Sequence, residues 1–328
     1  MRIGACLSLT GKFGKFGQQA AHGLDTWRSM DAPVELVIDD DRSDRRALEA
    51  ILPDVARRCD LLLGPYSTVL MRAAGTMAAD HDWLAWNHGG SGDDVQKAHP
   101  GHVISVLTPT SRYAEPFLRL IAADTTELVI AHGTGSFGRQ VADGAAALAG
   151  QLGIRVMRDG LTRTGEWDLL TAGVFEDDAE LVTSAQRLPN PPRRICAIAA
   201  GVREFRNAVR DPEGAYGIAQ WFPGNGQAME LGPPEDSFTS AYQARTGNPP
   251  DYPAAQAVAG AAIAMHCARL AGTTRHEDLW AAAASLQTST LFGAFAINPG
   301  TGAQESHQTV LVRWTKDEPV ALSAQLPH

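Results

Sequence analysis

Phe16-Gly17-Gln18-Gln19-Ala20-Ala21-His22-Gly23 and Phe137-Gly138-Arg139-Gln140-Val141-Ala142-Asp143-Gly144 share the pattern Phe-Gly-x-Gln-x-Ala-x-Gly. Each follows an apolar run and a glycine-containing loop, and each opens an alanine-rich amphipathic stretch. The repeat marks the first helix of two similar α/β units, one starting with the sequence and one starting mid-chain. It also puts Phe16 and Phe137 in equivalent places, at the carboxyl ends of two parallel sheets, where open α/β sheets bind ligands.

Outward from the repeat, short β-branched and leucine-rich runs alternate with amphipathic stretches, the pattern of parallel sheets covered by helices. Strands are expected at 2–7, 34–38, 61–63, 83–86 and 103–107, with helices at 18–28, 45–57 and 69–79 between them. The second rhythm has a strand at 128–131, a helix at 138–152 and strands at 155–157, 169–172 and 195–199. A strand at 218–222, helices at 236–243, 254–270 and 277–286, and strands at 292–297 and 309–314 complete the chain. The fold class is therefore α/β, with two Rossmann-like lobes built on parallel sheets, and 328 residues suffice for two cores.

Composition narrows the function. The 28 Lys and Arg against 37 Asp and Glu give a formal charge of -9, and no run of five like charges occurs, so nucleic acid is not an expected partner. The apolar stretch 254–264 is broken by Gln256 and falls short of the roughly 20 residues of a membrane helix, which reads as a soluble chain without membrane insertion. Met1 to Leu9 already reads as a strand, with no leader ahead of it. Cys6, Cys59, Cys196 and Cys267 lack C-x-x-C spacing and lie in or beside apolar runs, as buried thiols do.

A series of local motifs follows in order. They are Leu9-Thr10-Gly11 with Phe16-Gly17-Gln18, the acidic Ile38-Asp39-Asp40-Asp41-Arg42-Ser43-Asp44, Leu63-Gly64-Pro65-Tyr66-Ser67-Thr68, and Trp86-Asn87-His88-Gly89-Gly90-Ser91. Then come His132-Gly133 through Phe137-Gly138, Ala241 to Gly247 with Pro250-Asp251-Tyr252, and Phe292-Gly293 with Asn298-Pro299-Gly300. Together they resemble the leucine/isoleucine/valine-binding receptors of branched-chain amino acid ABC transporters, periplasmic binding proteins of the type I fold. The resemblance implies two lobes joined by three crossovers, 1–107 plus 224–306 and 108–223 plus 307–328, closing on a cleft. It implies a non-catalytic, monomeric receptor without a cofactor, which takes a small-molecule solute to an ABC permease. Its place would be periplasmic or extracellular at the membrane; the start directly on a strand keeps a cytoplasmic sensor with the same fold as the alternative. The segment 160–173 is shorter than its counterpart in that family, which implies a missing helix.

Two turns carry the candidate site. Tyr66-Ser67-Thr68 and Gly89-Gly90-Ser91 each follow a first-lobe strand and precede a helix, where hydroxyl and backbone N–H groups can hold a carboxylate. The same residues could simply cap helices. Phe16 and Phe137 are read as apolar walls for a solute, against the alternative that they pack under their own loops. Phe175 lies at the same end of the second sheet. Asn87 and His88 flank the glycine turn, the histidine as a local hydrogen-bonder. In the family, an acid that meets the solute's ammonium group aligns with Ala200, Gly201 and Val202, which carry no charge. Either Glu176 substitutes from the neighbouring loop or the solute lacks an amine, so amino-acid-like, carboxylate and amide solutes all fit. The acidic stretch 39–44 lacks calcium-loop spacing and reads as a solvated helix cap. An enzymatic alternative, an NAD(P)-dependent oxidoreductase, rests on Gly133-x-Gly135-x-x-Gly138 with Asp159 beyond the next strand. Phe137 opposes it by crowding the place of a pyrophosphate. Neither G-x-S-x-G nor H-E-x-x-H occurs.

Overall fold

The computed structural model describes residues 1–30, 32–125, 127–157, 161, 164–224 and 229–322. The chain runs β1 (Arg2–Leu7), α1 (Gly14–Ser29), β2 (Glu35–Asp40), α2 (Arg45–Arg58), β3 (Leu61–Leu63), α3 (Thr68–Asp80), β4 (Ala85–Asn87), α4 (Asp93–Gln96) and β5 (Val103–Ser105). It continues with α5 (Glu115–Ile121), β6 (Glu127–His132), α6 (Ser136–Gln151), β7 (Arg155–Met157), β8 (Asp168–Ala172), α7 (Phe175–Gln186), β9 (Arg194–Ala197), α8 (Phe205–Ala208) and β10 (Tyr216–Ala219). The last elements are α9 (Glu235–Thr246), α10 (Tyr252–Ala271), α11 (His276–Ser285), β11 (Thr288–Thr290), β12 (Gly293–Phe295), β13 (Val310–Trp314) and β14 (Pro319–Ala321). Two compact units result, Met1–Pro109 with Gly226–Gln308 and Thr110–Asn225 with Thr309–His328.

The first unit holds a parallel sheet in the order β2-β1-β3-β4-β5, and the second repeats that order as β7-β6-β8-β9-β10 before β13 and β14 add an antiparallel edge. In both sheets the order reverses between the first and third strands, the switch point at which α/β sheets take ligands. The fold is α/β with mostly parallel sheets, as the alternation of apolar runs requires. Strands β3 and β8 are buried along their whole length; β3 accordingly reads as an unbroken apolar run, while β8 also buries Asp168 and Thr171.

In the first unit Leu48, Leu52 and Val55 of α2 and Leu70, Met71 and Ala74 of α3 pack with Leu62, Ala85 and Val103 of the sheet. In the second, residues alternate along the strands between two clusters. Leu128, Ile130 and Leu170 join Phe117, Ile121 and Val141, while Val129 and Leu169 join Trp167, Val182, Phe205 and Trp314. The sequence repeat has a packing cause. A Cβ on Gly17 would lie 2.0 Å from the carbonyl oxygen of Ser8, and one on Gly138 would lie 2.4 Å from that of Ala172. One helical turn or more further on, Gly23 abuts the backbone of Ala254 and Gly144 that of Ser111, again closer than any side chain allows. Each first helix therefore needs glycine at both positions to seat against its neighbours.

Several expectations are corrected. The strand placed at 83–86 begins only at Ala85, because Asp82 adopts φ 58 and turns the chain ahead of it. The strand placed at 195–199 stops at Ala197, where Ile198–Gly201 tightens into a 3-10 turn. Helices α5 and α7 and strand β14 were not anticipated. Nor is the acidic stretch simply solvated: Asp41 is fully buried, accepting hydrogen bonds from the Ser8 hydroxyl at 2.6 Å and the Ser43 N–H at 2.8 Å, and burial pushes its carboxyl up. Asp44 does cap α2, accepting from the Ala47 N–H at 2.8 Å. Among the described residues no helix lies between β7 and β8. Cys6, Cys196 and Cys267 are buried and Cys59 half-buried, all as free thiols.

Candidate functional site

The two turns expected to hold a carboxylate adjoin at the carboxyl ends of β3 and β4 and are joined by one backbone and one side-chain hydrogen bond. The Ser67 N–H donates to the Gly89 carbonyl at 3.1 Å, and the Gly92 N–H donates to the Thr68 hydroxyl at 3.2 Å. Asn87 is the centre of this arrangement. Fully buried, its amide donates to the Gly90 carbonyl and to the Ser105 hydroxyl, both at 2.8 Å, and its oxygen accepts from the N–H groups of Gly89 at 3.2 Å and Gly90 at 2.8 Å. All four bonds an amide can make are thus internal. The N–H groups of Gly89 and Gly90, read from sequence as carboxylate donors, point at Asn87 instead. A Cβ on Gly89 would lie 2.5 Å from the Tyr66 Cα, so the glycine is set by the closeness of the two turns.

Ser67 heads α3 with φ 87 and ψ 145, a conformation that costs a residue with a side chain about 1–3 kcal/mol. Its hydroxyl accepts from the Leu70 N–H at 3.3 Å, so it caps the helix. The strained cap and the Gly89 carbonyl together fix the positive end of α3 beside Gly89-Gly90-Ser91. Ser91 is buried, and its carbonyl accepts from the Gln96 amide at 3.4 Å.

Aromatic rings back the first turn. Tyr66 stacks on Phe16 with centroids 4.8 Å apart and planes at 12°, and shares a hydrogen bond of 2.5 Å with the Tyr252 hydroxyl of α10. Burial pushes the Tyr66 phenol far above its ordinary range. Phe16 is therefore one half-buried member of a Phe16–Tyr66–Tyr252 group and does not stand alone as a wall. His88 departs from expectation: it is fully buried, and among the described residues no well-formed hydrogen bond reaches either ring nitrogen, so it does not tie the turn together. Burial pushes its imidazole down to about 4, opposed only in part by the nearby Gly64 peptide. Gln256, one turn of α10 beyond Tyr252, is also buried with both amide atoms unpartnered. Gly260, a further turn on, has the His88 Cβ 3.5 Å from its own Cβ position, so this α10 face runs past the β4 turn. Tyr252 and Gln256 were visible in the sequence, as part of a late motif and as the polar break in an otherwise apolar helix, but neither was read as a site residue.

In the second unit Phe137 and Phe175 lie in the first turns of α6 and α7, the helices that follow β6 and β8 at the switch point. Phe137 is half-buried and meets Tyr113 edge-on at 5.7 Å, and Gln220 donates to the Tyr113 hydroxyl. Phe175 packs partly onto the cluster around Trp167. Glu176 is exposed in the first turn of α7, not in a loop. At 201 any side chain is excluded, since a Cβ on Gly201 would lie 2.0 Å from the Ile218 carbonyl oxygen, while Ala200 and Val202 on either side carry apolar side chains. The carboxylate that does reach this strand end, Asp178, is buried and accepts from the Ala199 N–H at 2.9 Å. The Gly133, Gly135 and Gly138 fingerprint does span the β6–α6 junction, while its acid, Asp159, lies outside the described residues.

A family model described as periplasmic binding protein matches residues 1–319. The chain belongs to the periplasmic binding protein family. Solved periplasmic binding proteins of the branched-chain amino acid type share its fold. A leucine binding protein from Thermotoga maritima superposes with a TM-score of 0.79 at 14% identity, over 98% of each chain. An ABC transporter substrate-binding protein from Desulfitobacterium hafniense, in complex with leucine, gives 0.78 at 14% identity over 98% of this chain and 99% of that one. A solute binding protein of an ABC transporter from R. palustris, in complex with 4-hydroxybenzoate, gives 0.78 at 13% identity over 98% and 95%. Among the described residues of this family member, no helix is long and apolar enough to cross a membrane.

Proposed function

We propose that this periplasmic binding protein is the non-catalytic receptor of an ABC importer, and that it takes a small carboxylate solute which it hands to a permease. The observation that carries the carboxylate is the strained Ser67 cap, which holds the positive end of α3 against the Gly89-Gly90-Ser91 turn at the carboxyl edge of a parallel sheet. In this reading the acid group meets Ser67, Thr68 and Ser91, and the Phe16–Tyr66 group lines the apolar part. Phe137 and Phe175 stand at the equivalent switch point of the second unit's own sheet. The uncharged Ala200, Gly201 and Val202 favour a solute without an amine, such as an aromatic acid, over an amino acid; Glu176 is the residue that would read an amine if one is present.

The test is affinity and melting temperature together for Ser91→Ala. Loss of a charge-assisted hydrogen bond should weaken carboxylate binding by about 1.5–3 kcal/mol, roughly ten- to a hundredfold, with little change in melting. A sharp fall in melting with unchanged affinity of the folded fraction would make Ser91 a cap only.

A further inference from the structure

We propose that Asp82, His102 and His276 bind one divalent transition-metal ion of the zinc, nickel or copper class. Asp82 lies three residues before β4, His102 immediately precedes β5, and His276 is the first residue of α11, so the three meet at the amino edge of the first unit's sheet. The candidate solute turns lie at the opposite, carboxyl end of the same strand β4, and the proposal does not depend on them.

One donor atom from each residue lies within 4.8 Å of the other two. The Asp82 carboxylate and the His276 Nδ1 are 3.1 Å apart, and the His102 and His276 rings have centroids at 4.9 Å. Zinc–nitrogen bonds of about 2.0–2.1 Å in a tetrahedral site put ligand atoms roughly 3.3 Å apart, so the Asp82–His276 pair is already near that spacing and the His102 ring has at most about 1.5 Å to close. An aspartate–histidine ion pair by itself would not need a second imidazole.

The surroundings suit an ion as well. His102 Nδ1 lies 3.0 Å from the Trp83 carbonyl oxygen, which only accepts, so Nδ1 carries the proton and the Nε2 lone pair is left as a ligand. A backbone carbonyl orienting the far nitrogen is how metal-binding histidines are held. Asp82 has φ 58, a left-handed conformation, and its carboxylate meets His276 from there. Its side chain is 82% exposed, leaving coordination positions for water. A cavity of about 280 Å³, lined in part by Asp60, Asp82, Trp83, Thr274 and His276, gives an approach. Imidazole with carboxylate selects borderline ions over calcium or magnesium.

The experiment titrates Zn²⁺ into chelator-stripped, full-length protein by calorimetry, with Co²⁺ absorption as the spectroscopic readout. One ion per chain should bind with micromolar or tighter affinity, raise the melting temperature, and give the visible band of four-coordinate cobalt. His102→Ala and His276→Gln should each lose tenfold or more in affinity and abolish that band while remaining folded by circular dichroism. Asp82→Asn, at an exposed side chain, removes the charge without disturbing the core and should weaken binding several-fold. Absence of one-to-one binding, or wild-type affinity in both Asp82→Asn and His276→Gln, would overturn the site.

Discussion

Replacing Asn87 by alanine tests the mechanical basis of the site. The substitution strands the half-buried Gly89 N–H, the buried Gly90 N–H and carbonyl, and the Ser105 hydroxyl, each of which Asn87 now satisfies. A buried polar group left without a partner costs about 1–3 kcal/mol. Four such groups in one turn share relaxation and entry of water, so the summed loss of stability should be about 3–5 kcal/mol, less than the separate costs added. Asn87→Asp keeps an acceptor for both N–H groups but sets an anion against the Gly90 carbonyl, and should fall between alanine and wild type. Urea denaturation of the unliganded protein reads the effect as a shift in midpoint at constant slope. Solute affinity of the folded fraction should fall too, because the turn no longer holds Ser91 beside α3. A loss below about 1 kcal/mol with affinity intact would refute the reasoning that Asn87 holds this turn.

Two buried groups make opposite predictions about pH. His88 is held at about 4 against an ordinary 6.5, so it contributes about 3 kcal/mol that is fully present above pH 6.5 and is lost as pH falls from 6.5 to 4. His88→Leu should flatten that window in urea midpoints taken at pH 7.5, 5.5 and 4, and an unaltered acid slope would show that His88 is not the titrating group. Asp178 is raised to about 6 from 3.8, chiefly by burial, so its contribution is full below pH 3.8 and is lost as pH rises through 6. Asp178→Asn should therefore gain stability relative to wild type above pH 6, and equal stability at pH 8 would contradict the assignment. For Phe137→Ala, affinity should fall by about 1–3 kcal/mol for solutes with an apolar group and less for those without; equal losses for both would mean the ring is only packing.

The architecture was legible because its determinants are local or repeated. Apolar strands buried on both faces leave unbroken runs, and the Phe-Gly-x-Gln-x-Ala-x-Gly repeat records two first helices pressed against backbone. Helix α7 was missed although Phe175, Ala179, Val182 and Ala185 follow helical spacing, because its first turn is acidic and short of apolar residues. The turn sequences around Ser67 and Gly89 were legible as turns, but what their donors face was not. That Asn87 consumes the glycine N–H groups, that Tyr66 covers Phe16, and that Gln256 and His88 are buried without well-formed hydrogen bonds among the described residues all depend on contacts between distant segments. The same holds for Asp82, His102 and His276, whose convergence no motif spacing announces. Glycine at 201 could be seen as a missing acid; only the closeness of the Ile218 carbonyl explains why no side chain fits there.

The most direct test of the account is calorimetric titration of the full-length protein with leucine, isoleucine, benzoate and 4-hydroxybenzoate, the matching amides, and NAD and NADP. The account predicts that at least one carboxylate binds at micromolar affinity or better, that its amide binds at least tenfold more weakly, and that neither dinucleotide gives an isotherm. Binding of NAD or NADP with no response to any carboxylate, or equal affinity for an acid and its amide, would contradict a carboxylate receptor built on Ser67 and Ser91.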